Sequence, residues 1–259
     1  MWNLPAPPGF QGLHPDKPVT VYQRHLPHWR QDGATYFVTF RLADSPPQSK
    51  LDKLTALKAD WERRHPHRRT ALPSRRGRTA SRWRLPRTAQ ESRPTTFDEN
   101  QEELARQVQE RIEHWLAQGT GSCPLKEASL SAFVTSAMHH FDNDRYELDC
   151  YVAMPNHVHV IVRPLMPELY PLEEIVGSWK KYSSRRINCA LNSTEELWQE
   201  ESYDRILRDE EHLWCAIQYI DANPNKAGLQ NCPCWIRPQW VELAWGFART
   251  AQESRPTAP

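Results

Sequence analysis

Two histidines two residues apart, His157 and His159, sit inside the apolar run Tyr151 to Pro164, YVAMPNHVHVIVRP. In a strand, side chains at i and i+2 leave the same face, so these two imidazoles can hold one metal ion. Two neutral imidazoles alone leave a metal under-coordinated, and further oxygen or nitrogen ligands must come from elsewhere in the chain. About sixty residues on, Tyr219 and Asn223 are four apart in a stretch with helical periodicity, roughly 40° from each other on one flank. One turn of helix therefore offers a phenol and a carboxamide to the same neighbour, and the carboxamide oxygen is a hard ligand that could complete the histidine pair. Tyrosine can also act as a covalent nucleophile. Each piece has an ordinary reading too: a strand H-x-H is also a pair of half-exposed polar residues, and a helical tyrosine is more often a packed aromatic.

The elements that would position these groups follow from pattern. Thr35 to Leu42, TYFVTFRL, is β-branched and aromatic after the turn pair Asp32-Gly33, and reads as a strand. Arg145 to Met154 and His157 to Arg163 read as antiparallel strands joined at Pro155-Asn156, with His157, His159 and Ile161 on one face and Val158, Val160 and Val162 on the other. Amphipathic helices are predicted over Ser49 to Arg64, from Asp98 to the stop at Gly119 and Gly121, over Lys126 to Phe141, and from Leu172. The last helix opens on the acidic turn Asp209, Glu210, Glu211 and is expected to end at Asn223-Pro224, since proline restricts the residue before it. Between these lies Leu197 to Leu207, read as a short strand and loop. His25 and His28 read as surface residues of a leading loop.

Composition narrows the class. Of 259 residues 39% are apolar and 25% charged, the profile of a globular chain with a real core. No apolar run approaches the roughly 20 residues that span a bilayer, and none opens the chain, so a cytoplasmic protein is expected, with no membrane partner. Six cysteines without a CxxC pair read as reduced thiols at core positions. The net charge of +1 conceals a bias: Arg63 to Arg93 holds eleven arginines against the single acid Glu91. Residues 65–97 are predicted to be a disordered basic insert. Within it, Arg87 to Thr95, RTAQESRPT, recurs as Arg249 to Thr257, which in polar contexts suggests duplicated DNA and not a folded repeat. The organisation expected is a flexible N-terminus over 1–20, one domain over 21–245 and a flexible tail over 246–259.

Several runs agree in order and spacing with one family. M-P-N-H-V-H at 154 to 159, W-Q-x-x-x-Y-D-R-I-x-R-D-E at 198 to 210 and Y-I-x-x-N-P-x-K-A-G-L at 219 to 229 resemble the REP-associated tyrosine transposases, single-tyrosine HUH nucleases related to the transposases of the smallest insertion sequences. The resemblance extends to R-H-L-P-H-W and G-A-T-Y-F-V-T-F-R-L-A-D within 24 to 44, to G-T-G-S-C at 119 to 123 and to H-F-D-N-D-R-Y-E-L-D at 140 to 149. It covers about residues 20 to 65 and 98 to 245, and the arginine-rich stretch departs from it. The fold it implies is α+β, a ferredoxin-like α/β sandwich with a central antiparallel sheet, to which extra helices and the basic insert are added. It implies His157 and His159 as metal ligands, Asn223 as the third, Tyr219 as nucleophile, and Mg²⁺ or Mn²⁺ as cofactor.

The activity implied is nicking and joining of single-stranded DNA at hairpin-forming, REP-like palindromes through a 5′-phosphotyrosine, by a monomer or a homodimer. Retention of the phosphodiester energy in that linkage lets a second 3′-hydroxyl rejoin strands without ATP. With a reference pKa of about 10, the phenol must lose its proton near the metal or to a base, for which His212, seven residues back on the same flank, is the candidate. Lys180, Lys181, Arg185 and Arg186 are candidate phosphate contacts, and Trp179 or Tyr182 candidate stacking surfaces for unpaired bases. Two alternatives stand beside this: a domesticated, non-catalytic hairpin binder, and a metal-dependent hydrolase with a water nucleophile, for which Glu147 and Asp149 are the nearest acids.

Overall fold

The computed structural model of the chain describes residues 7–23, 27–45, 48–64, 107–108, 111–112, 114–116 and 118–241. Its frame is a five-stranded sheet in the order β6-β3-β5-β4-β7, antiparallel at every junction. The strands are β3 (Tyr36–Arg41), β4 (Tyr146–Ala153), β5 (His157–Pro164), β6 (Tyr203–Ile206) and β7 (Cys234–Ile236). A separate hairpin pairs β1 (Thr20–Gln23) with β2 (Pro27–Arg30). Helix α1 spans Gln48–Arg64, α2 Ala128–His139, α3 Leu172–Leu191 and α4 Glu210–Lys226. Helical residues at 107–108, 111–112 and 114–116 bring Val108, Ile112 and Leu116 together against Leu57 of α1. The architecture is α+β, as expected.

Strand β5 is central, and its burial follows from its alternation. Val158, Val160 and Val162 join Val38 and Phe40 of β3 and the apolar faces of α2 and α3 in one core. On the opposite face Ile161 joins Phe37, Val152 and Met154 beneath Leu213, Ala216, Ile217 and Ile220 of α4. Each fully buried valine is worth about 1.5–3 kcal/mol, enough to set the register, because a one-residue slip would exchange these valines for the histidines. A bulge between Leu148 and Cys150 adds a twist to this rule. In a regular strand these two residues would share a face; the inserted residue puts Leu148 in the first core and Cys150 in the second.

Helix α4 is capped by Asp209, whose side chain accepts from the His212 amide at 2.8 Å. It does not stop at Pro224. Proline removes only the N–H that would have reached the Ile220 carbonyl, one turn from the end, and the helix continues to Lys226. Gly228 ends it instead, at φ +67°. Its amide reaches the Asn225 carbonyl at 3.1 Å and that of Leu229 the Pro224 carbonyl at 2.9 Å, the pairing of a Schellman cap.

Other expectations fare differently. The proline-rich leader was expected to be flexible over 1–20, but its described part is tied down. Leu13 donates to the Arg208 carbonyl, Thr35 donates to the Gln11 carbonyl, and a Cβ at Gly12 would sit 2.3 Å from the Arg208 oxygen. Only Cys123 and Cys150 are buried; Cys189, Cys215 and Cys234 are exposed, and all six thiols are free. The segment 65–97, the start of the helix expected from Asp98, His25 and the tail over 246–259 lie outside the described residues. Among the described residues no helix is long and apolar enough to cross a membrane.

His28 is not the surface residue its neighbourhood suggested. It is 4% exposed, with Nδ1 2.6 Å from Asp204 and Nε2 3.1 Å from Glu201. Arg30 reaches Asp204 as well, and Glu173 of α3 at 2.6 Å, so β2 is fastened to both β6 and α3. Burial alone would lower the imidazole pKa, but the hydrogen bonds to Asp204 and Glu201 outweigh it and raise it to about 9. A folded-state value above the unfolded 6.5 means stability that is complete below pH 6.5 and lost as pH rises through about 9. At 1.36 kcal/mol per unit that is on the order of 3 kcal/mol. Urea unfolding at pH 6.5 and 9.5 should therefore show a loss of that order in the wild-type chain and a much smaller one in His28→Gln; equal losses would refute the assignment.

Candidate functional site

Helix α4 crosses β4 and β5 on the sheet face that carries the histidines. Both imidazoles are buried, His157 to 2% and His159 to 0% exposure, and their ring centroids are 4.6 Å apart. Tyr219 lies directly above: its Oη is 3.5 Å from His159 Nε2, and its ring meets His159 edge-on at 5.1 Å and Phe37 at 6.0 Å. At 3.5 Å the contact is adjacency more than a hydrogen bond, whose usual range ends near 3.2 Å. Asn223 follows one turn later, 6% exposed, with its carboxamide nitrogen donating to the Tyr219 carbonyl at 3.0 Å. Its remaining acceptor, the carboxamide oxygen, is the atom with ligand capacity. The structure thus brings His157, His159 and Tyr219 together, with Asn223 one helical turn beyond Tyr219.

The electrostatics of the pair follow from burial. Desolvation, helped by the nearby Arg41 guanidinium, pushes His157 down to about 3. Desolvation, then His157 and Arg205, hold His159 well below its ordinary value. Both rings are therefore neutral and keep a lone pair. The Nδ1 atoms are occupied: His159 Nδ1 is 2.8 Å from the Thr39 hydroxyl, and His157 Nδ1 is 2.7 Å from the Asn156 carboxamide oxygen. Metal-bound histidines usually have their second nitrogen anchored in this way. Two neutral imidazoles, each anchored at Nδ1 and turned to the site through Nε2, with the Asn223 carboxamide on the helix above, are donors of the kind that hold a divalent ion. No group of three or more His, Cys, Asp or Glu side chains suited to a metal occurs among the described residues, so the remaining ligands would be Asn223, water or a bound anion. Glu147 and Asp149 do not contribute, since they pair with Arg163 and Arg237.

Three sequence expectations are revised. His212 stands in the first turn of α4, half-exposed, 3.4 Å from Asp209; seven residues along a helix is about 10 Å, too far to take a proton from Tyr219. Trp179 is 1% exposed and donates to Tyr146 Oη at 2.8 Å, so it is core and offers no face to a base. Lys180, Lys181, Arg185 and Arg186 sit on α3, across the sheet from the histidines. Lys180 holds the Gln199 and Glu200 carbonyls at 3.0 and 3.2 Å, and Arg186 stacks on Phe133. Lys181, Arg185 and Tyr182 are exposed on that far layer.

Cations that sequence reasoning missed share the histidine face. Arg41 pairs in register with His157 and donates to the Gln199 side chain at 2.9 Å; burial lowers its pKa to about 10. Arg205 pairs with Phe37 and lies over that ring at 5.1 Å, and Lys226 lies 5.6 Å from the Tyr219 ring centre. Period-2 alternation put Arg41 on the face of Thr39, but only the strand register brings it beside His157.

Residues 127–223 match the family model described as Transposase IS200 like. No curated protein sequence matches the chain. A solved structure described as "Structure of the REP associates tyrosine transposase bound to a REP hairpin" is similar at 14% identity, covering 81% of this chain and 74% of that one with a TM-score of 0.36. The segment similar to that family model contains His157, His159, Tyr219 and Asn223.

Proposed function

We propose that the chain nicks and rejoins single-stranded DNA at hairpin-forming, REP-like repeats, with Tyr219 as nucleophile. The observation that carries this is Tyr219 Oη poised 3.5 Å from His159 Nε2 above two neutral, anchored imidazoles. His157 and His159, through Nε2, and Asn223 would hold Mg²⁺ or Mn²⁺, which supplies charge neutralisation at a non-bridging phosphate oxygen. Tyr219 Oη attacks phosphorus in line; the Oη–P bond forms as the P–O3′ bond breaks. The phenolic proton is released and one proton is taken by the departing 3′ oxygen, so the step leaves a 5′-phosphotyrosine and a 3′-hydroxyl with no net proton change. Attack by another 3′-hydroxyl reverses the sequence and restores the phenol.

Arg41, Arg205 and Lys226 give this face a positive character suited to the strand being cut. Lys181 and Arg185 can meet only DNA that reaches round the sheet to the far layer. The REP hairpin seen with the structural neighbour is the kind of partner proposed here. Two imidazoles among the ligands favour Mn²⁺ over Mg²⁺, since nitrogen donors rank the first-row ion higher and Mg²⁺ prefers all-oxygen sites.

Tyr219→Phe should shift labelled hairpin DNA with unchanged affinity yet give no covalent adduct on a denaturing gel. An adduct surviving in that variant would remove Tyr219 from the role. With His157→Ala, or in EDTA, nicking should fall by at least about 100-fold, and wild-type activity should be higher in Mn²⁺ than in Mg²⁺ at equal concentration; full nicking in EDTA would sink the metal assignment. In salt titrations of single-strand binding, Arg205→Ala should lower the slope of log K against log salt by about 0.7, and Lys181→Ala should leave it unaltered. The opposite ranking would place the DNA on the α3 layer.

A further inference from the structure

The turn between β4 and β5 carries a residue that the proposed chemistry does not use. Asn156 is 1% exposed, and its carboxamide is saturated at both ends. Its nitrogen lies 3.2 Å from the Leu116 carbonyl, 3.0 Å from the Thr120 carbonyl and 3.1 Å from Ser45 Oγ. Its oxygen lies 2.7 Å from His157 Nδ1. Nitrogen and oxygen of a carboxamide have similar shapes, so their assignment rests on the partners. Here the partners decide. Carbonyl oxygens only accept, and turning the amide over would set its oxygen against two of them. The nitrogen must face Leu116 and Thr120, which leaves the oxygen to face the imidazole.

An amide oxygen cannot donate, so the hydrogen between it and His157 belongs to Nδ1. In a neutral ring, a proton on Nδ1 leaves Nε2 bare. The partner of His159 imposes no such choice, because the Thr39 hydroxyl can donate or accept. The two histidines therefore differ, one having its tautomer fixed by its surroundings and the other free to exchange.

We infer that Asn156 is a positioning residue that locks His157 as the Nδ1–H tautomer and aims its Nε2 lone pair into the site under α4. The inference rests on the proposed role of His157 as a ligand through Nε2. It also makes the ligand depend on chain far from the strand. Leu116 and Thr120 lead into α2, Ser45 follows β3, and the backbone of the same turn is fixed independently by Leu42 donating to the Asn156 carbonyl at 2.9 Å and Leu125 to that of Pro155 at 3.3 Å. Removing the side chain of Asn156 should thus disturb the imidazole more than the turn.

The test is a long-range ¹H–¹⁵N correlation spectrum of the metal-free, full-length chain at pH 7.5, with His157 assigned by its loss in His157→Gln. The wild-type protein should show a protonated Nδ1 and a bare Nε2 at His157. In Asn156→Ala that signature should move towards a mixture of tautomers, and the Mn²⁺ dissociation constant, read by paramagnetic broadening, should rise about 10- to 100-fold. A wild-type His157 protonated at Nε2 would overturn the inference without any variant, and so would an Asn156→Ala protein with unchanged tautomer and Mn²⁺ affinity. Wild-type chain with the expected tautomer but no Mn²⁺ binding would uphold the role of Asn156 and sink the metal reading alone.

Discussion

A neutral imidazole shut away from water has one N–H that must find an acceptor and one lone pair that must find a use. An unsatisfied buried donor costs about 1–3 kcal/mol, and a buried imidazolium costs more. The sheet face under α4 is arranged around that requirement. His157 and His159 are neutral because they are buried, and they can be buried because Asn156 and Thr39 take up their Nδ1 atoms. What remains exposed to the space beneath Tyr219 is acceptor capacity with cations around it, Arg41 and Arg205 among them. Such a surface repels a bare metal ion less if an anion arrives with it, in keeping with the proposed pairing of a metal with a phosphate.

The same strand alternation separates this chemistry from the main core. One side of β5 carries Val158, Val160 and Val162 and is covered by α2 and α3; the other side passes from Ile161 to the histidines as α4 crosses it. Apolar burial under Leu213, Ala216, Ile217 and Ile220 fixes the height of the helix, and the flank of the helix sets Tyr219 over His159. The edge of the sheet is held by a different device. His28, Arg30, Asp204, Glu201 and Glu173 form an ionic cluster that joins β2, β6 and α3, and its buried carboxylate Asp204 lies in the strand pair that also carries Arg205. Strand β6 thus presents a structural acid to one face and a candidate DNA contact to the other.

What could be read from the chain was local. The histidine face, the valine face, the α4 flank bearing Tyr219 and Asn223, and the element order all follow from periods of 2 and 3.6 within single segments. What could not be read was register and long-range pairing. Nothing near Thr39 or Arg41 says that they stand opposite His159 and His157; that needs the β3–β5 alignment, which joins residues 120 positions apart at Thr39 and His159. His28 looked exposed because the acids that bury it lie more than 170 residues away. Trp179 has helical spacing with Leu172, Ile175 and Val176, and its burial and its bond to Tyr146 decide for the core over a base-stacking role. Strand β7 is three residues long and follows Pro233, too short for any periodicity to register. Proline was also over-read: the rule against helical proline loses force in a last turn, where Gly228 supplies the stop.

The survival of α4 through Pro224 has a consequence for the chemistry. Had the helix ended at Asn223, the carboxamide would sit on a fraying terminus, and a ligand there would be placed by whatever the next loop did. Because the helix runs on to Lys226 and the Schellman cap closes at Gly228, Asn223 lies inside a hydrogen-bonded turn, with its nitrogen held on the Tyr219 carbonyl. The proposed nucleophile and the proposed third ligand are then parts of one turn resting on one apolar stripe. A strand-joining reaction must run forwards and backwards through the same geometry, and it gains from a tyrosine that cannot drift once it carries the DNA. Rigidity in that turn, and not only the identity of its residues, is what makes the arrangement suited to a reversible transfer.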